Sequence, residues 1–97
     1  MYYFWDEIIK KEYPTRKEIL KQAYKNCMTI PAGAIITIRE KGKRGKIATV
    51  TTGKLNGRKC VIYDNGSSLS QLNSDGSIGK KVTMVKNKLF FSVYEYR

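Results

Sequence analysis

The spacing of apolar residues changes about a third of the way along the chain, from a helical period to alternation. In the first part, Phe4, Trp5, Ile8 and Ile9 occupy positions i, i+1, i+4 and i+5, which places them on one face of a helix. Pro14 cannot continue a helix, because it lacks an amide hydrogen and its ring clashes with the preceding turn. The pattern therefore predicts a first helix that ends before Pro14.

A second helix is predicted immediately afterwards by the run TRKE. Thr15 suits the N-cap position and Glu18 follows three residues later, which is the spacing of a capping box. One face of this helix is apolar and is formed by Ile19, Leu20, Ala23, Tyr24 and Cys27. The other face carries Arg16, Lys17, Lys21 and Lys25, which we interpret as solvated surface rather than a binding face.

After IPAG the apolar residues alternate with a period of two, and β-branched and aromatic residues become frequent. This pattern predicts six strands, near residues 34–39, 46–51, 58–63, 69–72, 81–86 and 89–96. The segments between them are turn material, namely KGKRG, TGKLNG, DNGSS, SDGSIG and KNK. Within TGKLNG, Asn56 and Gly57 suit a tight hairpin turn, since both residues tolerate a positive φ.

Six short, closely spaced strands predict a small antiparallel barrel, because closure removes exposed strand edges. We therefore expect an α+β fold in which one or two N-terminal helices pack on a small SH3-like antiparallel β-barrel. The 97 residues suit one domain, 1–97, with a helical part over 1–28 and a barrel part over 29–97.

The aromatic residues of the final run LFFSVYEY alternate between two faces. Leu89, Phe91 and Val93 share one face, and the opposite face is formed by Phe90, Tyr94 and Tyr96. One set belongs in the core. The other set could stack on unpaired bases, but we expect the N-terminal helices to cover it.

Composition restricts the chemistry and the location. The chain has no histidine, and Cys27 and Cys60 lack the spacing of a metal site, so we expect no metal, no cofactor and a reducing, cytoplasmic location. No apolar run approaches the roughly 20 residues of a membrane span, and MYYFWDEII has no signal-peptide pattern. We therefore expect no membrane partner.

The net charge of +11 is concentrated in the barrel part of the chain. Residues 1–28 hold six basic and four acidic residues, whereas residues 29–97 hold thirteen basic and four acidic residues. Such an excess indicates a polyanionic partner, which is nucleic acid or a nucleoprotein, or alternatively an acidic protein surface. Solubility alone is the remaining explanation.

Two glycine-containing turns carry much of this charge, and the first is the stretch REKGKRGK. The basic residues of the two turns and their flanks are Arg39, Lys41, Lys43, Arg44, Lys46, Lys54, Arg58 and Lys59. Glycines let the backbone approach a phosphate and leave amides free to point at it. The alternative is that these lysines only keep turns hydrated and strand edges unpaired. A second group, near the last hairpin, is formed by Lys80, Lys81, Lys86 and Lys88.

The segment PAGAIITIREKGKRGKIATV resembles the KOW-type half of SH3-like barrels, in its two strands around a basic turn and in Gly33, Gly42, Gly45 and Val50. Over residues 14–76, the order of a basic helix, IPAGAIITI, RGKIATV and CVIYDNGSSLSQL resembles a family of short uncharacterised proteins encoded by phages and mobile elements. The resemblance implies an accessory role, against host defence or in element maintenance.

Catalysis is poorly supported by the residues. Asp64 and Asp75 are the carboxylates that could pair, but each lies in a glycine-containing turn, where aspartate bonds to nearby backbone. We predict a non-catalytic protein that binds nucleic acid or a nucleoprotein through the basic turns. The alternative is an inhibitor of a host defence system, such as an anti-CRISPR type blocker of a nuclease, that binds an acidic protein surface. The oligomeric state stays open.

Overall fold

The structure is a computed structural model that describes residues 1–30 and 33–96. These residues form one helix, α1, which spans Arg16–Thr29. The strands are β1 (Tyr2–Phe4), β2 (Ile35–Glu40), β3 (Ala48–Leu55), β4 (Arg58–Asp64), β5 (Leu69–Leu72), β6 (Ile78–Lys86) and β7 (Phe91–Glu95).

The strands pair in chain order, each antiparallel to the next, and β7 then returns to β3. That last contact is parallel and joins Gly53 to Phe91 and Lys54 to Ser92. One edge of β3 is therefore shared, because its first half pairs with β2 and its second half with β7. Strands β3 to β7 close a five-stranded barrel, and β2 and β1 extend the sheet beyond it.

Two apolar clusters lie on the opposite faces of β3 and β4. Val50 and Val61 belong to the cluster under the helix, whereas Ile62 lies in the barrel interior with Val82 and Val93. Strand alternation explains the division, since successive side chains point to opposite faces. The first six residues of β3 are buried as a result. The expected combination of a helix and a small barrel in an α+β fold is confirmed.

Helix α1 has both the N-cap and the apolar face that the sequence predicts. The hydroxyl of Thr15 accepts a hydrogen bond from the backbone amide of Glu18 at 3.2 Å, which confirms Thr15 as the N-cap. The predicted apolar face packs against the sheet: Ile19, Leu20, Ala23 and Cys27 are buried, and Tyr24 packs beside them. The helix contacts β1, β3 and β4.

The prediction of a first helix before Pro14 is wrong. Residues 2–4 form β1 on the edge of β2, and Tyr2 exchanges two backbone hydrogen bonds with Tyr13, at 2.9 and 2.8 Å. A helix this short is marginal in water. The strand instead inserts Phe4 into the core, where it is 1% exposed and pairs with Ile38, and it provides backbone partners for β2.

Several strand boundaries also differ from the prediction. Strand β3 runs on to Leu55 through residues expected to be a turn, so the β3–β4 turn consists of Asn56 and Gly57 alone. Their φ values of 51° and 79° confirm the expected tight hairpin. Strand β6 begins at Ile78, inside the predicted SDGSIG turn.

The expectation that the N-terminal helices cover the last aromatic residues is wrong. Tyr94 and Tyr96 are exposed, because α1 lies against the other side of the molecule, on β1, β3 and β4. On the opposite face of β7 the expectation holds for Val93, which is buried in the barrel, but Leu89 precedes the strand and is exposed.

Candidate nucleic-acid interface

The eight predicted site residues form two groups at opposite ends of β3. The β2–β3 turn and its flanks hold Arg39, Lys41, Lys43, Arg44 and Lys46, and the β3–β4 hairpin holds Lys54, Arg58 and Lys59. An eight-residue strand is roughly 25 Å long. The structure therefore does not bring the eight residues together in one patch, and each group has to be judged by its own contacts.

The β2–β3 turn has an open backbone. Gly42 and Gly45 have φ values of 88° and 75°, which explains why glycine stands at both positions. Apart from the glycine itself and its two chain neighbours, no residue has an atom within 4 Å of the place where a Cβ would stand on Gly42 or Gly45. No described residue accepts a hydrogen bond from the backbone amides of Gly42, Arg44, Gly45 or Lys46. The turn thus offers several free donors to solvent.

Three basic side chains surround these amides. Arg44 and Lys46 are exposed and make no hydrogen bond or ion pair with any residue that the structure describes. The Nζ atom of Lys43 lies 3.4 Å from Oε2 of Glu40 and remains well exposed. An ion pair of this kind at the surface contributes little, so Lys43 can exchange Glu40 for another anion. Lys43, Arg44 and Lys46, with the amides between them, are named here the turn site.

Lys41, at the start of the same turn, has a partner within the protein. Its Nζ atom lies 2.9 Å from Oε1 of Glu12, and the hydrogen bond to Glu12 raises the pKa of Lys41. Its backbone amide donates to the carbonyl oxygen of Met1 at 2.8 Å. Both contacts attach the N-terminal segment to the turn, so Lys41 contributes to the local structure.

Arg39 stacks on Trp5. The guanidinium carbon lies 3.7 Å from the centroid of the indole ring, and the Nζ atom of Lys10 lies 5.0 Å from it. Trp5 nevertheless keeps 48% of its surface exposed. The sequence pattern had assigned Trp5 to a helix, so its place beside Arg39 was missed. The pairing of β1 with β2 creates this neighbourhood, and it is not visible from local spacing.

The hairpin group acts mainly within the fold. Lys54 and Lys59 are direct cross-strand partners, an arrangement that like charges disfavour. The two side chains diverge. The Nζ atom of Lys59 donates to the carbonyl oxygen of Ile30, just beyond a helix whose last turn holds no basic residue. The Nζ atom of Lys54 lies 4.6 Å from the ring centroid of Phe90. Arg58 is exposed at the hairpin tip.

The second lysine group is spread along one hairpin. Lys80, Lys81 and Lys86 lie on β6, and Lys88 lies in the turn to β7. All four are exposed. The turn around Lys88 is built by Asn87, whose side-chain oxygen accepts from the amide of Leu89 at 3.0 Å. Substitutions at these lysines would change the net charge without altering the turn site.

The two candidate carboxylates have the turn roles that were expected. Asp64 accepts from the amide of Gly66 at 2.8 Å, and Asp75 accepts from the amide and the hydroxyl of Ser77 at 2.9 and 2.6 Å. The hydrogen bonds from Ser77 lower the pKa of Asp75. Among the residues that the structure describes, no group of three or more histidine, cysteine or acidic side chains is arranged to hold a metal ion.

In the described part of the chain, no helix has the length and apolar character to cross a membrane. Comparison with protein-family models, with curated proteins and with solved structures finds no match to this chain. The resemblance to short phage and mobile-element proteins therefore stays a prediction, and the candidate site rests on the contacts given above.

Proposed function

We propose that the protein is a non-catalytic nucleic-acid-binding protein that holds backbone phosphates at the turn site. The observation that carries this proposal is the combination of the exposed cations Arg44 and Lys46 with backbone amides that lack acceptors between Gly42 and Lys46. Cationic side chains together with free amides are the donors by which turns bind anions.

Phosphate is a better fit to this site than a carboxylate on a protein surface. Its oxygens accept several hydrogen bonds at once, and the turn offers both amides and flexible cations as donors. A run of phosphates also suits the remaining surface charge, since the chain carries +11 in total. Contacts of this type position a protein on nucleic acid without reading its sequence. We therefore expect binding with little sequence preference.

The salt dependence of binding tests the proposal. Three phosphate contacts predict a log–log slope of affinity against salt of roughly −2 on a single strand to −3 on a duplex. The double variant Lys43→Glu/Arg44→Glu should bind short oligonucleotides much more weakly, with a slope of about −1. Both residues are exposed, so its unfolding free energy should stay within about 0.5 kcal/mol of the parent value. Fluorescence anisotropy with labelled oligonucleotides measures the affinity and its slope against salt.

The matched control is Lys80→Glu/Lys81→Glu, which changes the net charge by the same amount on β6. We expect this control variant to bind only slightly more weakly than the parent. Equal losses in the two variants would show that total charge, and not the turn site, attracts the ligand. An unchanged affinity and slope in folded Lys43→Glu/Arg44→Glu would remove the turn from the interface.

We also propose that the barrel is of the SH3-like type and that the protein belongs with accessory proteins of phages or mobile elements. The closed five-stranded arrangement of β3 to β7 supports the first statement. The second rests on the sequence resemblance over residues 14–76.

A second candidate function, inhibition of a partner protein, is favoured by the loop between β1 and α1. Ile8 is 100% exposed and Ile9 is 82% exposed, while the loop is attached at both ends through the Tyr2–Tyr13 backbone bonds. Exposed aliphatic side chains on a tethered loop suit insertion into an apolar pocket. Retention of one defined protein after nuclease treatment, with its loss in Ile8→Ser/Ile9→Ser, would support this function.

A further inference from the structure

Trp5 is a large aromatic residue held at the surface by the pairing of β1 with β2. Strand alternation sends the preceding residue, Phe4, into the core with 1% exposure, whereas Trp5 remains 48% exposed. The backbone of Trp5 is fixed, because its amide donates to the carbonyl oxygen of Thr37 at 3.0 Å. The exposed ring therefore stands in the turn directly after β1, on a backbone that is hydrogen-bonded to β2.

A cationic side chain from the strand that leads into the turn contacts the ring. Arg39, one of two cations near the ring, pairs with Tyr3 across β1 and β2 and is the second-last residue of β2, two positions before the turn begins at Lys41. The guanidinium carbon of Arg39 stands 3.7 Å from the ring centroid and supports the ring by stacking. The turn begins beside Met1, at one end of this strand pair, whereas Trp5 follows Phe4 at the other end, opposite Thr37; four residues of β2, roughly 13 Å, separate Thr37 from Lys41.

The side chain of Arg39 also has an unpaired hydrogen-bond donor. Its Nε atom is buried and has no hydrogen-bond partner among the described residues. Buried donors are paired as a rule, so an unpaired one calls for an explanation. A ligand that brings an acceptor to this side chain would pair the donor.

We propose that Trp5 is a stacking platform for an unpaired base of a single-stranded nucleic acid whose phosphates lie on the turn site. The proposal rests on the proposed function and adds the ligand class. An indole ring stacks on the face of any base, but that face is accessible only where the base is unpaired. A duplex could use the phosphate contacts of the turn site but not Trp5.

The protein contains a single tryptophan, so emission excited at wavelengths where the seven tyrosines do not absorb reports on Trp5 alone. The probes are a mixed-sequence DNA strand of about 12 nucleotides, the RNA of the same sequence and the corresponding DNA duplex; this length falls within the usual site size of single-strand binders. We expect saturable quenching of the Trp5 emission by a single strand and little change with the duplex at equal occupancy. The DNA and RNA arms show which backbone is preferred.

The variant Trp5→Ala should lose about 5- to 150-fold in affinity for the single strand, while its affinity for the duplex and its salt slope stay close to the parent values. Trp5→Phe should retain most of the single-strand affinity, because it keeps an aromatic face. Tyr94→Ala is the matched control, since it removes another exposed aromatic side chain, on β7, and should leave binding unchanged.

The outcomes separate this proposal from the proposed function. Salt-dependent binding of both single strand and duplex, with unchanged Trp5 emission, would overturn the stacking proposal and leave the turn site in place. The same quenching by single strand and duplex would also overturn it. An absence of binding to all three probes would overturn the proposed function itself.

Discussion

The α-carbon of Gly53 faces the side chain of Val93 so closely that a Cβ on Gly53 would lie 2.6 Å from Cγ2 of Val93. It would also lie 3.0 Å from the carbonyl oxygen of Phe91, with which Gly53 pairs. This is the point where β7 meets β3 and the barrel closes. The glycine is required here by space and not by a positive φ.

The replacement Gly53→Ala is therefore expected to destabilise the protein by about 1–3 kcal/mol, because the added methyl group forces the two strands apart. Equilibrium denaturation in urea measures the loss. The double variant Gly53→Ala/Val93→Ala should lose less than the sum of the two single variants, since the smaller Val93 side chain makes room for the new methyl group. Strict additivity would contradict this account of the closure.

Leu20 tests whether helix α1 is an integral part of the fold. It is 5% exposed in the cluster that also contains Ile38 and Val50. We expect Leu20→Ala to cost about 2–5 kcal/mol through the cavity that it leaves. The neighbouring exposed substitution Lys21→Ala should stay within about 0.5 kcal/mol of the parent. Thermal melts that coincide for parent and Leu20→Ala would mean that the helix is not docked.

Cys27 makes stability depend on pH in the alkaline range. Burial raises the pKa of its thiol from 9.0 to about 11, although the nearby charge of Lys59 acts in the opposite direction. The folded state thus prefers the protonated thiol. This contribution to stability is fully present below pH 9.0 and is lost as the pH rises from 9.0 towards about 11.

The stability advantage of the parent over Cys27→Ala should therefore shrink between about pH 7 and about pH 10.5, as measured by urea denaturation at both values. Other alkaline titrations occur in both proteins and largely cancel in the difference. A difference that is the same at the two pH values would show that Cys27 is not deprotonated more easily after unfolding.

The two turn aspartates give one prediction about stability in acid and one about catalysis. Hydrogen bonds from Ser77 lower the pKa of Asp75, so its contribution to stability is present above the ordinary pKa of 3.8 and is lost as the pH falls through the lowered value. We expect the stability advantage of the parent over Asp75→Ala, measured by urea denaturation, to be present at neutral pH and to shrink as the pH falls below 3.8. We expect no nuclease activity in the parent; metal-dependent cleavage that disappears in Asp64→Ala or Asp75→Ala would contradict a non-catalytic function.

The elements that sequence reasoning predicted well are those whose signals are local. The Thr15 cap, the apolar face around Leu20 and the Asn56–Gly57 turn each depend on residues within a few positions of one another. Strand β1 was not predicted because it depends on a distant partner: Phe4 pairs with Ile38, 34 positions further along the chain. Gly53 was predicted to be part of a turn because its neighbour in space, Val93, lies 40 positions further along the chain.

The same difference between local and distant information applies to the candidate site. The open backbone of the β2–β3 turn was predictable from Gly42 and Gly45. Which basic side chains have a partner within the protein could not be predicted, because the partners come from distant parts of the chain. Lys41 is bound to Glu12 and Lys59 to the carbonyl of Ile30, and neither contact follows from spacing along the chain.

Amide chemical shifts of the ¹⁵N-labelled protein, followed during titration with a short single-stranded oligonucleotide, show which backbone amides lie against the phosphates. We expect the largest changes at the amides of Gly42, Arg44, Gly45 and Lys46, which have no acceptor among the described residues. Changes confined to the β3–β4 hairpin or to the lysine face of α1, with these four amides unmoved, would rule out phosphate binding at the turn site.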